Sequence, residues 1–164
     1  MTARRPVAPV RVAVALGSNL GDRAAHLAWA CEGLARILTG LRASPFENTA
    51  PLDVPDSQPD YLNAVVVGTT ALPPRAVLDT LLRLEAERGR TRPGVRSART
   101  LDLDLILYGN LMVDEAGLQV PHPRFRERDF VLGPLARLTP RWRDPVTGET
   151  LAALWRRRRL PGRG

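Results

Sequence analysis

Between Arg99 and Ile106 the chain reads Arg-Thr-Leu-Asp-Leu-Asp-Leu-Ile. Leucine and aspartate alternate with a period of two, so an extended strand puts Leu101, Leu103 and Leu105 on one face and Asp102 and Asp104 on the other. This predicts a core strand with charges on one side. Two carboxylates about one side chain apart repel unless something positive lies between them, and hard oxygen ligands suit Mg²⁺ with phosphate completing its octahedron. Arg99, just ahead of the pair, is placed to hold such a phosphate. The other reading is an exposed edge strand whose polar face is acidic. A motif this short recurs by chance, and the stretch alone leaves both open.

Composition narrows the setting. A chain of 164 residues, 44% hydrophobic and 25% charged, is expected to be one globular domain with a real core. Its single cysteine, Cys31, permits no internal disulfide, no apolar run approaches the roughly 20 residues of a membrane span, and the N-terminus has no signal-peptide h-region. A cytoplasmic protein with no membrane partner is the expectation. The net charge of +7 is carried entirely by arginine, without one lysine. Arginine grips phosphate bidentately, so one polyphosphate site explains this charge as well as a nucleic-acid-binding face does.

Residues 1–9, rich in Pro and Arg, are expected to be a disordered leader, with the folded domain spanning 10–155. Val10 to Leu16 reads as a strand that breaks at Gly17-Ser18-Asn19-Leu20-Gly21-Asp22, with Asp22 as N-cap of a helix. Leu27, Cys31, Leu34 and Leu38 form the apolar face of that helix, expected to end near Gly40, with Cys31 in the core rather than reactive. Ala43 to Thr49 and Asn63 to Thr70 read as strands. Between them Pro51, Pro55 and Pro59 rule out regular structure, and a loop this long is often functional. Tyr61 and Asn63 flank Leu62 on one side of the incoming strand; from the residues alone, packing by Tyr61 and turn-capping by Asn63 is the favoured reading over a functional one.

Pro73-Pro74 opens a second helix whose buried stripe is Val77, Leu78, Leu81, Leu82 and Leu84, with Gly89 as its stop. An arginine-dense stretch follows, from Arg83 to Arg99, and leads into the aspartate strand. Gly109-Asn110 then suggests a hairpin from that strand to Leu111–Val113. His122, between Pro121 and Pro123, has a restricted backbone, and Phe130 opens a helix through Leu138. One or two helical turns carry Leu151, Leu154 and Trp155, and residues 156–164 are expected to be a frayed basic tail.

Five motifs occur in one order: Leu16 to Gly21, Gln58 to Asn63, Glu85 through Arg92, Arg99 to Asp104, and Pro121-His122-Pro123 through Phe130. From about Val12 to Leu138 the chain resembles the 6-hydroxymethyl-7,8-dihydropterin pyrophosphokinases. The resemblance implies a ferredoxin-like α/β (α+β) fold, an antiparallel sheet with helices packed on it, and transfer of pyrophosphate from ATP to the pterin hydroxymethyl group in folate biosynthesis. It implies Asp102 and Asp104 as ligands of two Mg²⁺ ions, and Arg92 and Arg99 on the triphosphate. Glu85, His122 and Arg128 would line the ATP site, and Arg90 would belong to a catalytic loop. Tyr61 and Phe130 would sandwich the pterin, Asn63 would hydrogen-bond it, and Thr49 and Leu52 would read its edge. A monomer acting on ATP and the pterin, with no nucleic-acid partner, is expected.

The chain departs from the family pattern at Arg96-Ser97-Ala98, where Trp-Gly-Pro is frequent, and at Ala50, where proline is. The alternatives are a Mg²⁺-dependent nucleic-acid-processing enzyme using the same acid pair, and an Arg-rich nucleic-acid-binding module indifferent to Asp102 and Asp104.

Overall fold

Strand β1 (Val10–Ser18) is antiparallel to both of its neighbours, β4 (Tyr61–Thr70) and β5 (Asp102–Tyr108). The computed structural model describes residues 8–50, 60–88 and 100–160. The sheet runs β2 (Thr39–Ala43), β4, β1, β5, with β3 (Glu47–Thr49) also paired to β4. Helices α1 (Arg23–Leu34) and α2 (Pro74–Arg88) make the two crossovers, giving the βαββαβ topology of a ferredoxin-like fold. Then come the β6 (Val113–Glu115) and β7 (Leu118–Val120) hairpin, a 3₁₀ turn at Phe125–Glu127, α3 (Asp129–Leu138) and α4 (Leu151–Arg159).

The sheet separates two cores. Val12, Val14, Leu16, Leu103 and Leu105 pack against Leu27 and Leu34 of α1 and Val77, Leu81 and Leu84 of α2. Ala13, Val65, Val67, Ile106 and Leu107 face Val131, Leu132 and Leu135 of α3 and Leu151 and Leu154 of α4. Strict alternation would send Ile106 and Leu107 to opposite faces. The register between β1 and β5 slips at Ala13/Val14, and this bulge turns both residues to the α3 side.

Several boundaries differ from the sequence reading for local reasons. α1 ends at Leu34, before Gly40, where the chain tightens: the amides of Arg36 and Ile37 bond carbonyls three residues back, at Gly33 and Leu34, at 3.3 and 3.0 Å. Leu38 is buried by that turn, not by the helix, and Cys31 is only half-buried against the core. Of the strand expected over 43–49 only Ala43 and Glu47–Thr49 are paired in the sheet; β2 begins earlier, at Thr39, and Pro45, which has no N–H to donate, separates it from β3. Ser44 bridges the gap, its Oγ accepting from the Val65 amide at 2.8 Å. In α2 Thr80 takes a buried position and Leu82 is 53% exposed.

The expected hairpin between β5 and Leu111–Val113 does not form. The amide of Gly109 bonds the Arg11 carbonyl at 2.7 Å, and β6 pairs with β7 around Gly117, whose φ of +78° a tight turn requires and glycine supplies. Nor does the chain fray after Trp155, for α4 continues through Arg159, with Arg157 bonded to Glu149 at 2.7 Å and Arg158 paired with Asp129. Most residues of the expected leader lie outside the described residues, as do Gly89 and the three-residue departure at 96–98.

Candidate active site

The site is built on one row across the sheet. Gly17 of β1 is paired with Asn63 of β4 on one side and Asp102 of β5 on the other. Two residues back along β1, Ala15 is paired with Val65 and Asp104. Glycine and alanine leave a trough in the sheet face, walled by Asn63 and Tyr61 on one side and the two aspartates on the other. A side chain at position 17 would close it: a Cβ there would stand 3.2 Å from Asn63 Oδ1 and 3.6 Å from Tyr61 Cδ1.

The start of α3 roofs this trough, contributing Arg128, Phe130 and Val131 to a cavity of about 320 Å³ that Thr49, Tyr61, Asn63, Asp102 and Asp104 also line. Asn63 is buried, and its Nδ2 donates to Thr49 Oγ1 from the paired strand β3. That bond leaves the Asn63 carboxamide fixed in orientation, so it is neither a turn cap nor a freely rotating group. Arg23 holds the outer wall: its Nη1 donates to Asn48 Oδ1 and to the Asp60 carbonyl, each at 2.8 Å.

Asp102 and Asp104 also line a second, larger cavity of about 680 Å³, with Leu78, Leu82 and Glu85 from α2, His122, and Asp114 and Gln119 from the β6–β7 hairpin. The acid pair therefore stands where the two cavities meet. β5 is an edge strand, and its outer edge is taken up locally. The Leu103 amide donates to Glu85 Oε2 at 2.8 Å, and the His122 amide donates to the Ile106 carbonyl at 2.9 Å.

The electrostatics follow from this crowding. Burial pushes the Glu85 carboxyl up, the Leu103 amide partly offsets this, and the charges of Asp102 and Asp104 raise it further, to about 7. Burial lowers the His122 pKa, as do the guanidiniums of Arg128 and Arg124, while Asp102 acts the other way. His122 Nδ1 accepts the Arg124 amide at 3.1 Å, which assigns the proton of the neutral ring to Nε2.

Of the residues expected from sequence, Thr49, Tyr61, Asn63 and Phe130 converge on the first cavity and Glu85 and His122 on the second, with Asp102 and Asp104 common to both. Arg128, expected with the ATP group, lines the first cavity while standing close enough to His122 to act on its pKa. Leu52, Arg90, Arg92 and Arg99 lie outside the described residues. Gly17, expected to break the first strand, lies inside β1, and Leu82, expected in the buried stripe of α2, is exposed and lines the second cavity. Arg23 has no signal in the sequence, and only the fold gives it its partners on β3 and at Asp60.

Among the described residues no three His, Cys, Asp or Glu side chains are arranged to enclose a metal. Two neighbouring carboxylates are nevertheless the protein share expected for Mg²⁺, which keeps water and substrate phosphate as its other ligands. An acid pair between an aromatic-lined cavity and a more polar one is the layout of a two-substrate transferase.

The model of the 7,8-dihydro-6-hydroxymethylpterin-pyrophosphokinase family matches residues 13–140. A 2-amino-4-hydroxy-6-hydroxymethyldihydropteridine pyrophosphokinase of Synechocystis is 40% identical over 144 residues, covering 86% of this chain and 72% of the relative. One from Pseudomonas aeruginosa is 42% identical over 137 residues, covering 82% and 84%. Among solved structures, a Plasmodium falciparum HPPK-DHPS with pteroate superposes with a TM-score of 0.69 at 12% identity, over 92% of this chain and 44% of that one, a likeness of fold. The chain belongs to the 7,8-dihydro-6-hydroxymethylpterin-pyrophosphokinase family.

Proposed function

We propose that the trough between Tyr61 and Asp102 takes the pterin, that the larger cavity takes ATP, and that Asp102 and Asp104 hold Mg²⁺ where the two substrates meet. The reaction is that of the family: pyrophosphate moves from ATP to 6-hydroxymethyl-7,8-dihydropterin, giving AMP and the pterin diphosphate, a step of folate biosynthesis. ATP is the co-substrate. The row Asn63–Gly17–Asp102 supports this placement most directly, because it sets a hydrogen-bonding carboxamide and a metal-binding carboxylate on either side of a floor without side chains.

A flat heteroaromatic bicycle needs ring faces and a few in-plane polar groups. Tyr61 and Phe130 supply the faces and Asn63 and Thr49 the polar edge, while the family resemblance gives Leu52 a backbone contact to the pterin. Bound Mg²⁺, two ions in this reading, supplies charge neutralisation across the phosphates. Asp102 and Asp104 would hold that Mg²⁺ between the two substrates. As the hydroxymethyl oxygen forms its bond to the β-phosphorus it gives up its proton to solvent, the bond from the β-phosphorus to the oxygen on the α-phosphorus breaks, and AMP leaves with that bond's electron pair. Arg92 and Arg99 take the triphosphate and Arg90 serves the catalytic loop, while Arg128 reaches between the cavities. Leu78 and Leu82 offer the nucleotide base an apolar wall.

Among the described residues no helix is long and apolar enough to cross a membrane. The single cysteine accords with a cytoplasmic setting. In the described part of the basic tail, Arg157 and Arg158 are engaged by Glu149 and Asp129, which argues against a free nucleic-acid-binding strip.

The experiment is AMP formation from ATP and Mg²⁺ with and without the pterin, for the wild type and for Asn63→Ala. Pterin-dependent AMP formation with a raised pterin KM in the variant is expected. An unchanged pterin KM would remove Asn63 from the substrate site.

A further inference from the structure

We propose that Arg158 is a positioning residue for pterin binding, acting through the first residues of α3. Both side chains that α3 is read to offer the substrate side, Arg128 and Phe130, leave the backbone at the helix start. That start has no cap of its own: Arg128 occupies the N-cap position without a side-chain capping bond. The Val131 and Leu132 amides turn back onto the Arg128 carbonyl at 2.9 and 2.8 Å, but no side chain caps the amides ahead of them.

What fixes it comes from α4. Arg158 Nε donates to the Asp129 carboxylate, and its Nη2 donates to the Glu127 carbonyl at 2.6 Å. One planar guanidinium thus grips the residues on either side of Arg128, and the second of them directly precedes Phe130. The register that brings it there is set one turn away. Gly133 of α3 lies against the Trp155 indole so closely that a Cβ at 133 would be 3.0 Å from the ring. With the helices antiparallel and locked at that contact, Arg158 falls opposite the start of α3.

Arg158 is 38% exposed and Asp129 65%, and ion pairs this open contribute little to global stability. The effect of the clamp is local, on the angle at which Phe130 and Arg128 enter the cavity, where small displacements are costly. This gives a role to the basic tail that the family reaction leaves unexplained, and it rests on the reading of Phe130 as a pterin contact.

The test is equilibrium binding of 6-hydroxymethyl-7,8-dihydropterin in the presence of Mg²⁺ and a non-hydrolysable ATP analogue, for Arg158→Ala, Arg158→Lys, Asp129→Ala and the control Phe130→Ala. Arg158→Ala is expected to raise the pterin Kd about three- to tenfold. Its nucleotide Kd and its kcat at saturating pterin change by less than the pterin Kd, about twofold at most through Arg128, and the melting temperature falls by no more than about 2 °C. Arg158→Lys recovers part of the loss, and Asp129→Ala reproduces it without adding to it in the double variant. A wild-type pterin Kd in Arg158→Ala beside a weakened Phe130→Ala overturns the clamp alone. Equal weakening of both substrates with a large drop in melting temperature makes Arg158 merely structural. A wild-type pterin Kd in Phe130→Ala overturns the substrate-site reading, and the clamp with it.

Discussion

Glu85 of α2 and Asp102 of β5 line the same cavity, where burial and then the nearby Asp102 charge raise the Glu85 carboxyl pKa. The bond to the Leu103 amide holds Glu85 in place, so the two groups cannot separate to relieve repulsion.

This pair sets a pH dependence of stability. Glu85 titrates at about 7 in the fold and in the ordinary carboxyl range when unfolded, so between those values the native state holds the extra proton. Stability from this group is therefore lost as pH rises toward 7 and levels off above it. The lowered pKa of His122 works oppositely, favouring the fold as pH rises through the ordinary histidine range. Glu85→Gln, which keeps an oxygen for the Leu103 amide, isolates the first effect. Urea midpoints at pH 5.5 and 8 should show the variant losing the alkaline decline relative to wild type; parallel pH curves would reject the shift.

Asp104→Ala should lower turnover by about a hundredfold or more while the protein stays folded, since charge stabilisation in phosphoryl transfer is of this size or larger. Calorimetric titration with Mg²⁺ and a non-hydrolysable ATP analogue should show weaker metal binding in the same variant. Unchanged turnover would take Asp104 out of the metal site.

Gly17→Ala asks Asn63 to yield space while it is tied to Thr49. The expected result is a raised pterin KM with the ATP KM unchanged, and a stability loss of about 1 kcal/mol from the tight contact. A parallel rise in both KM values would mean that the trough does not separate the substrates.

Tyr61→Ala should weaken pterin binding by about 1 to 3 kcal/mol if the ring stacks. Fluorescence titration of the pterin checks this, and equal affinity for both proteins would remove the contact.

Asp144 is fully buried, and Arg126 holds it with two bonds while the Val146 amide donates to it at 2.9 Å. Burial alone would raise its pKa; the Arg126 hydrogen bonds, the Val146 amide, the Arg126 charge and Thr147 outweigh that and lower it. Asp144→Ala strands the partly buried guanidinium and should cost about 3 to 5 kcal/mol in chemical denaturation, with pterin and ATP binding retained in the folded fraction.

What could be read from the sequence was local. The alternation over Leu101–Leu105 and the equal parity of Tyr61 and Asn63 are properties of single strands, and the βαββαβ order follows from their succession. What could not be read depends on register between distant segments. Gly17 matters because pairing sets it beside Asn63 and Asp102, and nothing within its own strand announces either neighbour. Gly109-Asn110 does make its turn, with the Leu111 amide on the Tyr108 carbonyl at 3.0 Å, yet no hairpin follows, because the His122 amide takes the outward Ile106 carbonyl of β5 and the next strand pairs around Gly117 instead. Arg156–Arg159 has a frayed composition, and its order comes from partners far away in the chain.

The covered edge of β5 has a further consequence. An edge strand with free amides and carbonyls is a template onto which another molecule's strand can add. Here the proposed metal-binding strand is that edge, and Glu85 and the His122 backbone occupy its outward groups at Leu103 and Ile106. The contacts that hold Glu85 and His122 beside the acid pair thus also take these two groups away from an incoming strand.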